Sequence, residues 1–267
     1  MSNIHHSAVV DPKAVIHPTS TVGPFCVIEG DVNIGPNCTL RSNVFMRGPL
    51  TIGEQNTFYP NTYIGYEPQD YKFDPNTPGA GTIIGNENIF REGVSVHRAT
   101  GDTPTTIGNH NMMMVNSHLG HDVVMGNNCV MVNGSLIGGH VQIGDGFIAG
   151  GNAVAHQHIR LGRLSMISGV IGITQDLLPF CVCYHMRSIG SLNIVGLRRN
   201  GYRKHIKNLQ HAFDIILRMS LPNQEAAALI RKDLPGDELC EEMAVFVETS
   251  KRGICSLDRI ASRKVLE

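Results

Sequence analysis

Apolar residues recur at every sixth position over most of the chain. From Val10 the series runs Ile16, Val22, Ile28, Ile34, Leu40, Met46, Ile52, Phe58 and Ile64. It resumes at Ile84, Phe90 and Val96, and again from Ile107 to Ile173. Of these 25 hexads, 17 begin with Val, Ile or Leu, and 12 carry glycine at the next position, as in Ile34-Gly35 and Ile143-Gly144. A helix has no use for this period: six residues turn it by about 600°, so the apolar position would wander around its surface. A short strand and a corner use it well. Three hexads close one triangular coil of 18 residues, each coil pairs in parallel with the next about 4.8 Å away, and the first positions stack in columns inside a prism. The glycines fit corners, where a positive φ is cheap without a Cβ. The expected fold class is mainly β, a parallel β-helix of hexapeptide repeats.

Two stretches break the phase. Residues 66–83 contain Gln69-Asp70-Tyr71-Lys72 and a Pro-rich segment; residues 101–106 form a shorter interruption. Insertions in a solenoid project as loops from one face, often the binding face; the second is equally well read as a tolerated surface loop. After about residue 178 the hexads stop, and Ile206, Leu209, Phe213 and Ile216 recur at helical spacing. A second helix is expected after Ser220-Leu221-Pro222, ending at Pro235-Gly236, and a third from an Asp237 N-cap up to Gly253. The expected organisation is a β-helix over residues 1–185 and a small α-helical domain over 186–267, which would also close the open end of the solenoid.

Composition narrows the function. Of 267 residues, 42% are apolar, which excludes wholesale disorder. The net charge of -1 argues against a nucleic-acid partner. No apolar run reaches the roughly 18 residues of a membrane span, and no Lys or Arg precedes an apolar stretch in Met1–Pro12, so no integral membrane segment or signal peptide is expected. Seven cysteines with no CxxC pair fit free thiols in a reducing, cytoplasmic compartment.

The candidate chemistry lies in the histidines. His118, His121, His140, His156 and His158 fall within one short stretch, where a repeat core needs no imidazole. Metal ligation and acid–base work both fit them. The 18-residue stacking puts Gly139 above His121, and His140 then His158 above Asp122. Glycine there leaves the backbone bare, so that its N–H can approach a substrate oxygen. A base beside an exposed N–H is what acyl transfer requires: one accepts the proton of an attacking hydroxyl, the other stabilises the oxyanion.

The stretch Asn116-Ser117-His118-Leu119-Gly120-His121-Asp122 resembles the active-site segment of the UDP-N-acetylglucosamine O-acyltransferase family, hexapeptide-repeat enzymes that begin lipid A biosynthesis. Further similar segments follow the family's order: Ile64-Gly65 with Gln69-Asp70-Tyr71-Lys72-Phe73, Val96-His97-Arg98, Gly138-Gly139-His140-Val141, Ala155-His156-Gln157, and Asn193-Ile194-Val195-Gly196-Leu197-Arg198-Arg199. The resemblance covers essentially the whole chain. It implies a left-handed helix, a property that periodicity does not carry, and a homotrimer with the active site between subunits. It implies transfer of a 3-hydroxyacyl group from acyl carrier protein to the 3-hydroxyl of UDP-N-acetylglucosamine, with no cofactor and no metal. His121 would be the general base, Asp122 its orienting carboxylate and Gly139 the oxyanion donor. Asp70, Lys72, His97, His118 and His140 would hold the sugar and acyl group, and His156, Gln157, Asn193 and Arg199 the nucleotide end. Gly151, Met166 and Gly169 would line the acyl groove, with Gly169 leaving it long. The chain departs from the family's pattern at His158, Val195 and Asn200, which bears on the nucleotide contacts more than on the base.

From Leu177 to Phe213 there is no Asp or Glu, but there are Arg187, Arg198, Arg199, Arg203, Lys204 and Lys207, a surface suited to an acidic carrier protein. Two alternatives stay open at this point. One is a zinc-dependent hydratase similar to γ-type carbonic anhydrases, with His118, His121 and His140 as ligands; the other is the N-acyltransferase of the same pathway, acting on an amino sugar.

Overall fold

The computed structural model describes residues 3–258; residues 1–2 and 259–267, the outer ends of the two expected domains, lie outside the described residues. Successive short strands fall in turn on three parallel sheets. Sheet I runs from Val9–Val10 to Gly172–Ile173, sheet II from Val15–Ile16 to Arg160–Leu161, and sheet III from Thr21–Val22 through Met166–Ile167. Each sheet pairs every third strand of the chain, so the backbone winds as a triangular coil. In uninterrupted coils the register is 18 residues, as in Leu119↔Ile137 and Ile137↔Ala155.

The hexad's first residue points into the prism: Ile28, Ile64, Leu119, Ile137 and Ile167 are all buried. Val10 and Ile16 are only half-buried, because no coil lies beneath them. The glycines that follow the first position serve a different purpose from the expected one. Apart from Gly65 (φ 81°), they do not carry the left-handed backbone; Asn116 (φ 57°), Asn128 (φ 56°) and Asn152 (φ 54°) do so at their corners. The glycines are required because coils stack too closely for a side chain: a Cβ on Gly35 would lie 2.6 Å from the carbonyl oxygen of Gly53.

Both interruptions leave from a sheet I strand and return to a sheet II strand. The first joins Tyr63–Tyr66 to Thr82–Ile84, the second Ser95–His97 to Thr105–Ile107. They therefore emerge from the same edge of the prism. A buried asparagine ladder holds register across them: Asn56 Oδ1 accepts from Asn88 N (2.9 Å), Asn88 Oδ1 from Asn111 N (2.8 Å), and Asn111 Oδ1 from Cys129 N (2.8 Å). Satisfied on both sides, these amides give the interior a polar seam that tolerates no slip.

Beyond the coils the chain forms a hairpin that sequence patterning did not show. Cys181–His185 extends sheet III in parallel from Met166–Ile167 and pairs antiparallel with Ser188–Leu192. Helices α1 (Ile194–Arg199), α2 (Ile206–Arg218), α3 (Asn223–Asp233) and α4 (Glu238–Glu248) follow. Asp237 caps α4, accepting from Leu239 N and Cys240 N. The helix stops at Glu248 rather than continuing to Gly253. The chain is drawn back to the prism by the Asp176–Ile254 bridge, and Ser256–Leu257 pairs with the hairpin. Arg160 and Arg163 tie α4 to the last coils, through the Phe246 carbonyl (2.7 Å) and Glu242 (2.6 Å).

Arg98, 2% exposed, fastens the longer loop. Its guanidinium donates to Glu67 (3.2 Å) and to the carbonyls of Pro75 and Thr77 (both 3.1 Å), and it lies over the Phe73 ring. An Arg98→Met substitution leaves Glu67 without this cation and two loop carbonyls without donors. It is expected to destabilise the protein by roughly 3–5 kcal/mol and to open residues 67–81 to limited proteolysis. A loop as protected as the parent's would refute this anchoring.

Candidate active site

The corner between sheets I and II carries the histidines. In successive coils it presents Gly120-His121-Asp122, then Gly138-Gly139-His140, then His156-Gln157-His158. Asp122, His140 and His158 stand in one column, each with left-handed backbone near φ 60°. His140 stacks on His158 at 4.4 Å between centroids and meets the His121 ring edge-on at 5.0 Å.

His121 Nδ1 lies 2.6 Å from Asp122 Oδ2, and the Cε1 side of the ring, between its two nitrogens, lies across Gly139. A Cβ on Gly139 would sit 2.7 Å from His121 Cε1 and 2.8 Å from Nε2. Gly139 is thus buried rather than exposed as stacking alone suggests, because the imidazole fills the place of its side chain. Among the described residues, no backbone carbonyl accepts from its N–H, while its carbonyl accepts from His158 N (3.0 Å).

Asp122 is 11% exposed and densely solvated by protein donors. Thr100 Oγ1 donates to Oδ2 at 2.6 Å, and the amides of Thr100 and Gly101 donate to the carboxylate at 3.1 and 3.3 Å. Burial alone would raise this carboxyl, but hydrogen bonds from Thr100, His121 and Gly101 outweigh it and hold it below the usual carboxylate range. These donors come from the start of the second interruption. Sequence reasoning missed Thr100 because nothing in its spacing shows where an irregular loop aims its amides.

A cavity of about 390 Å3 opens on the His121 side, lined by His97, His118, His121, Gly139, His156 and Gln157, with Gln69 of the longer loop at its rim. Gln69 had not been singled out as a site residue. Ser95 had not either; its hydroxyl lies 2.8 Å from His118 Nδ1 and fixes that ring. His97 and His118 meet edge-on at 4.9 Å. Burial pushes both imidazoles down, His97 to about 4, and the neighbouring His118 and His121 add to the shift of His97. Burial thus favours the neutral form of both rings.

The other expected residues are placed differently. His140 lines a separate cavity of about 560 Å3 with Asp122, His158, Lys251 and Arg252. Asp70 and Lys72 are exposed on the longer loop, where Asp70 Oδ1 accepts from Lys72 N. Asn193 caps α1, accepting from Gly196 N (2.9 Å) and donating to the Leu164 carbonyl (2.8 Å). Arg199 is exposed in the last turn of α1. Gly151 and Gly169 stack on one another at a different edge, between sheets III and I, just after the strand that contains Met166.

The zinc arrangement drawn from sequence is not formed. Among the described residues, the ligand-type atoms that converge belong to His121, Asp122 and His140, not to His118, whose Nδ1 faces Ser95. The Asp122 oxygens already accept from Thr100, Gly101 and His121, which suits a hydrogen-bonded carboxylate that orients a base.

Comparison with known proteins bears on the family and the fold. A family model described as Udp N-acetylglucosamine O-acyltransferase, Domain 2, matches residues 176–255, and one described as Bacterial transferase hexapeptide (six repeats) matches residues 13–48. The chain is similar to a protein of Anaeromyxobacter sp. (strain Fw109-5) named acyl-[acyl-carrier-protein]--UDP-N-acetylglucosamine O-acyltransferase, 42% identical over 94% of this chain and 98% of the relative. A protein of the same name from Myxococcus xanthus (strain DK1622) is 40% identical over 95% and 99%. The crystal structure of UDP-N-acetylglucosamine O-acyltransferase from Moraxella catarrhalis superposes with a TM-score of 0.90 at 32% identity, covering 95% of this chain and 99% of that one. No described helix is long and apolar enough to cross a membrane. The chain belongs to the UDP-N-acetylglucosamine O-acyltransferase family and is an acyltransferase.

Proposed function

We propose that the corner between sheets I and II transfers a 3-hydroxyacyl group from acyl carrier protein to the 3-hydroxyl of UDP-N-acetylglucosamine, with His121 as general base. The observation that carries this reading is the placement of one imidazole between Asp122 and Gly139. With Nδ1 turned to the carboxylate, Nε2 is free to take the proton of the sugar hydroxyl. The hydroxyl oxygen attacks the thioester carbonyl, and the resulting oxyanion accepts from the Gly139 N–H. Collapse breaks the C–S bond, and the carrier's thiolate leaves, taking up a proton. The His97 and His118 wall, where burial favours the neutral imidazoles, suits an acyl chain and a sugar, with Asp70 and Lys72 of the longer loop completing that subsite and His140 serving it from the neighbouring cavity. His156, Gln157, Asn193 and Arg199 hold the nucleotide end, Arg199 on a phosphate.

Gly151, Met166 and Gly169 lie near one edge of the prism and His121 at another, so an acyl groove that joins them runs between copies of the chain. Val124, Leu136 and Val154, each more than 40% exposed, flank the site on the outer faces of sheets I and II and supply apolar area for such a contact. A homotrimer of left-handed β-helices, each with a domain boundary near residue 185, accounts for both features. Arg187, Arg198, Arg199, Arg203, Lys204 and Lys207 are all exposed, a surface that steers an acidic carrier protein. Seven free, buried cysteines fit a cytoplasmic enzyme.

The deciding assay is acyl transfer from 3-hydroxyacyl carrier protein to UDP-N-acetylglucosamine. His121→Ala is expected to lose roughly 100- to 10,000-fold in kcat; turnover near the parent's would remove His121 from its role. Gly139→Ala adds a methyl against the ring and displaces it from Asp122. It should lower kcat by about 100-fold or more with the fold intact by circular dichroism. Gly169→Met should shift preference toward shorter acyl donors, and an unchanged chain-length profile would reject the placement of the groove's end.

His97 gives a pH signature. Folded, it holds its proton only below about 4, against 6.5 for an ordinary histidine, so the unfolded chain binds more protons between these values. Stability is therefore present above pH 6.5 and is lost as pH falls toward 4. His97→Asn should flatten that part of the melting-temperature profile; a slope as steep as the parent's would assign it to other groups.

A further inference from the structure

The second interruption grips Asp122 at two points. At the corners of neighbouring coils, the left-handed residue donates its amide to a carbonyl 19 positions back: Asn128 to Asn109, His140 to His121, Asn152 to Asn133 and His158 to Gly139. Asp122 departs from this pattern. Its amide donates to the Thr105 hydroxyl at 2.8 Å, and its carboxylate receives the Thr100 hydroxyl at 2.6 Å. The two threonines bracket the inserted residues, and Thr105, 0% exposed, begins the sheet II strand that resumes the coil.

The geometry on the carboxylate is specific. The Thr100 hydroxyl and His121 Nδ1 converge on the same oxygen, Oδ2, each at 2.6 Å. The amides of Thr100 and Gly101 reach Oδ1 at 3.1 and 3.3 Å. Without the inserted residues the backbone would turn directly into the next strand, and its amides would join the ladder between coils instead of facing the carboxylate. A carboxylate with one hydroxyl and two backbone donors has its rotation fixed, so Oδ2 stays in the plane that the imidazole needs. We propose that Thr100 is a positioning residue for the reaction, fixing Asp122 so that His121 presents Nε2 to the acceptor hydroxyl, with Thr105 holding the Asp122 backbone in the same role. This rests on the general-base reading of His121 given above.

The test is steady-state acyl transfer from 3-hydroxyacyl carrier protein to UDP-N-acetylglucosamine by the full chain, comparing the parent with Thr100→Val, Thr100→Ser, Thr105→Val and His121→Ala. Thr100→Val is expected to lower kcat roughly 10- to 100-fold, less than loss of the base itself. KM for the nucleotide sugar should stay within about twofold, because Thr100 lines neither of the two cavities at this corner. Thr100→Ser, which keeps the hydroxyl, should recover most of the rate, and Thr105→Val should lower kcat in the same sense. Parent-like kcat in Thr100→Val, with His121→Ala inactive, overturns the role of Thr100 and leaves the base in place. An active His121→Ala overturns the reading beneath it. A loss in Thr100→Val that Thr100→Ser does not repair assigns Thr100 to packing and also overturns the proposal. Melting temperatures are measured on every variant; if Thr100→Val does not fold, Thr100→Ala set against Thr100→Ser decides on the same criterion.

Discussion

Every coil is held to the next by backbone hydrogen bonds, 18 residues apart wherever no insertion intervenes, and the position of each functional group follows from that ladder. The imidazole of His121 reaches the backbone of Gly139 because the two belong to adjacent coils at one corner. The interior imposes the register. A slip of one residue would expose the apolar column and break the asparagine seam through Asn56, Asn88 and Asn111, leaving buried amides without partners. The ladder is therefore both the source of stability and the ruler by which the site is laid out.

The same constraint confines variation to the corners. Strands of two or three residues buried on their inner face accept no extra length, whereas a corner can be expanded if the chain returns in register. Both expansions occur at the edge that carries the histidines. One brings Gln69 to the cavity, with Arg98 fastening the loop; the other supplies the donors to Asp122. A regular scaffold thus acquires an irregular, chemically dense edge without loss of its own order.

The hexads made the coils, the 18-residue register and the shared edge legible in sequence, because burial of the first position leaves a periodic mark. Helical spacing likewise marked α2 and α3, and Asp237 marked the start of α4. The hairpin Cys181–Leu192 left no such mark, since its short apolar run reads equally as the end of a coil. The role of Gly139 was half legible. Its lack of a side chain was evident, but that the imidazole itself would occupy the vacated space depends on a rotamer fixed by Asp122, which no spacing records. Thr100 was invisible for a related reason: the aim of its hydroxyl is a property of a non-repeating path.

Asp122, His140 and His158 occupy corner positions equivalent to those that hold Asn116, Asn128 and Asn152 at the prism's other two edges, all with left-handed backbone. That conformation disfavours most residues other than glycine and asparagine, yet the stacked prism enforces it whatever side chain is present. A chain of such corners amounts to a row of sockets, each aimed outward at a set height. New chemistry can arise there by single exchanges, with no new fold required to orient the incoming group.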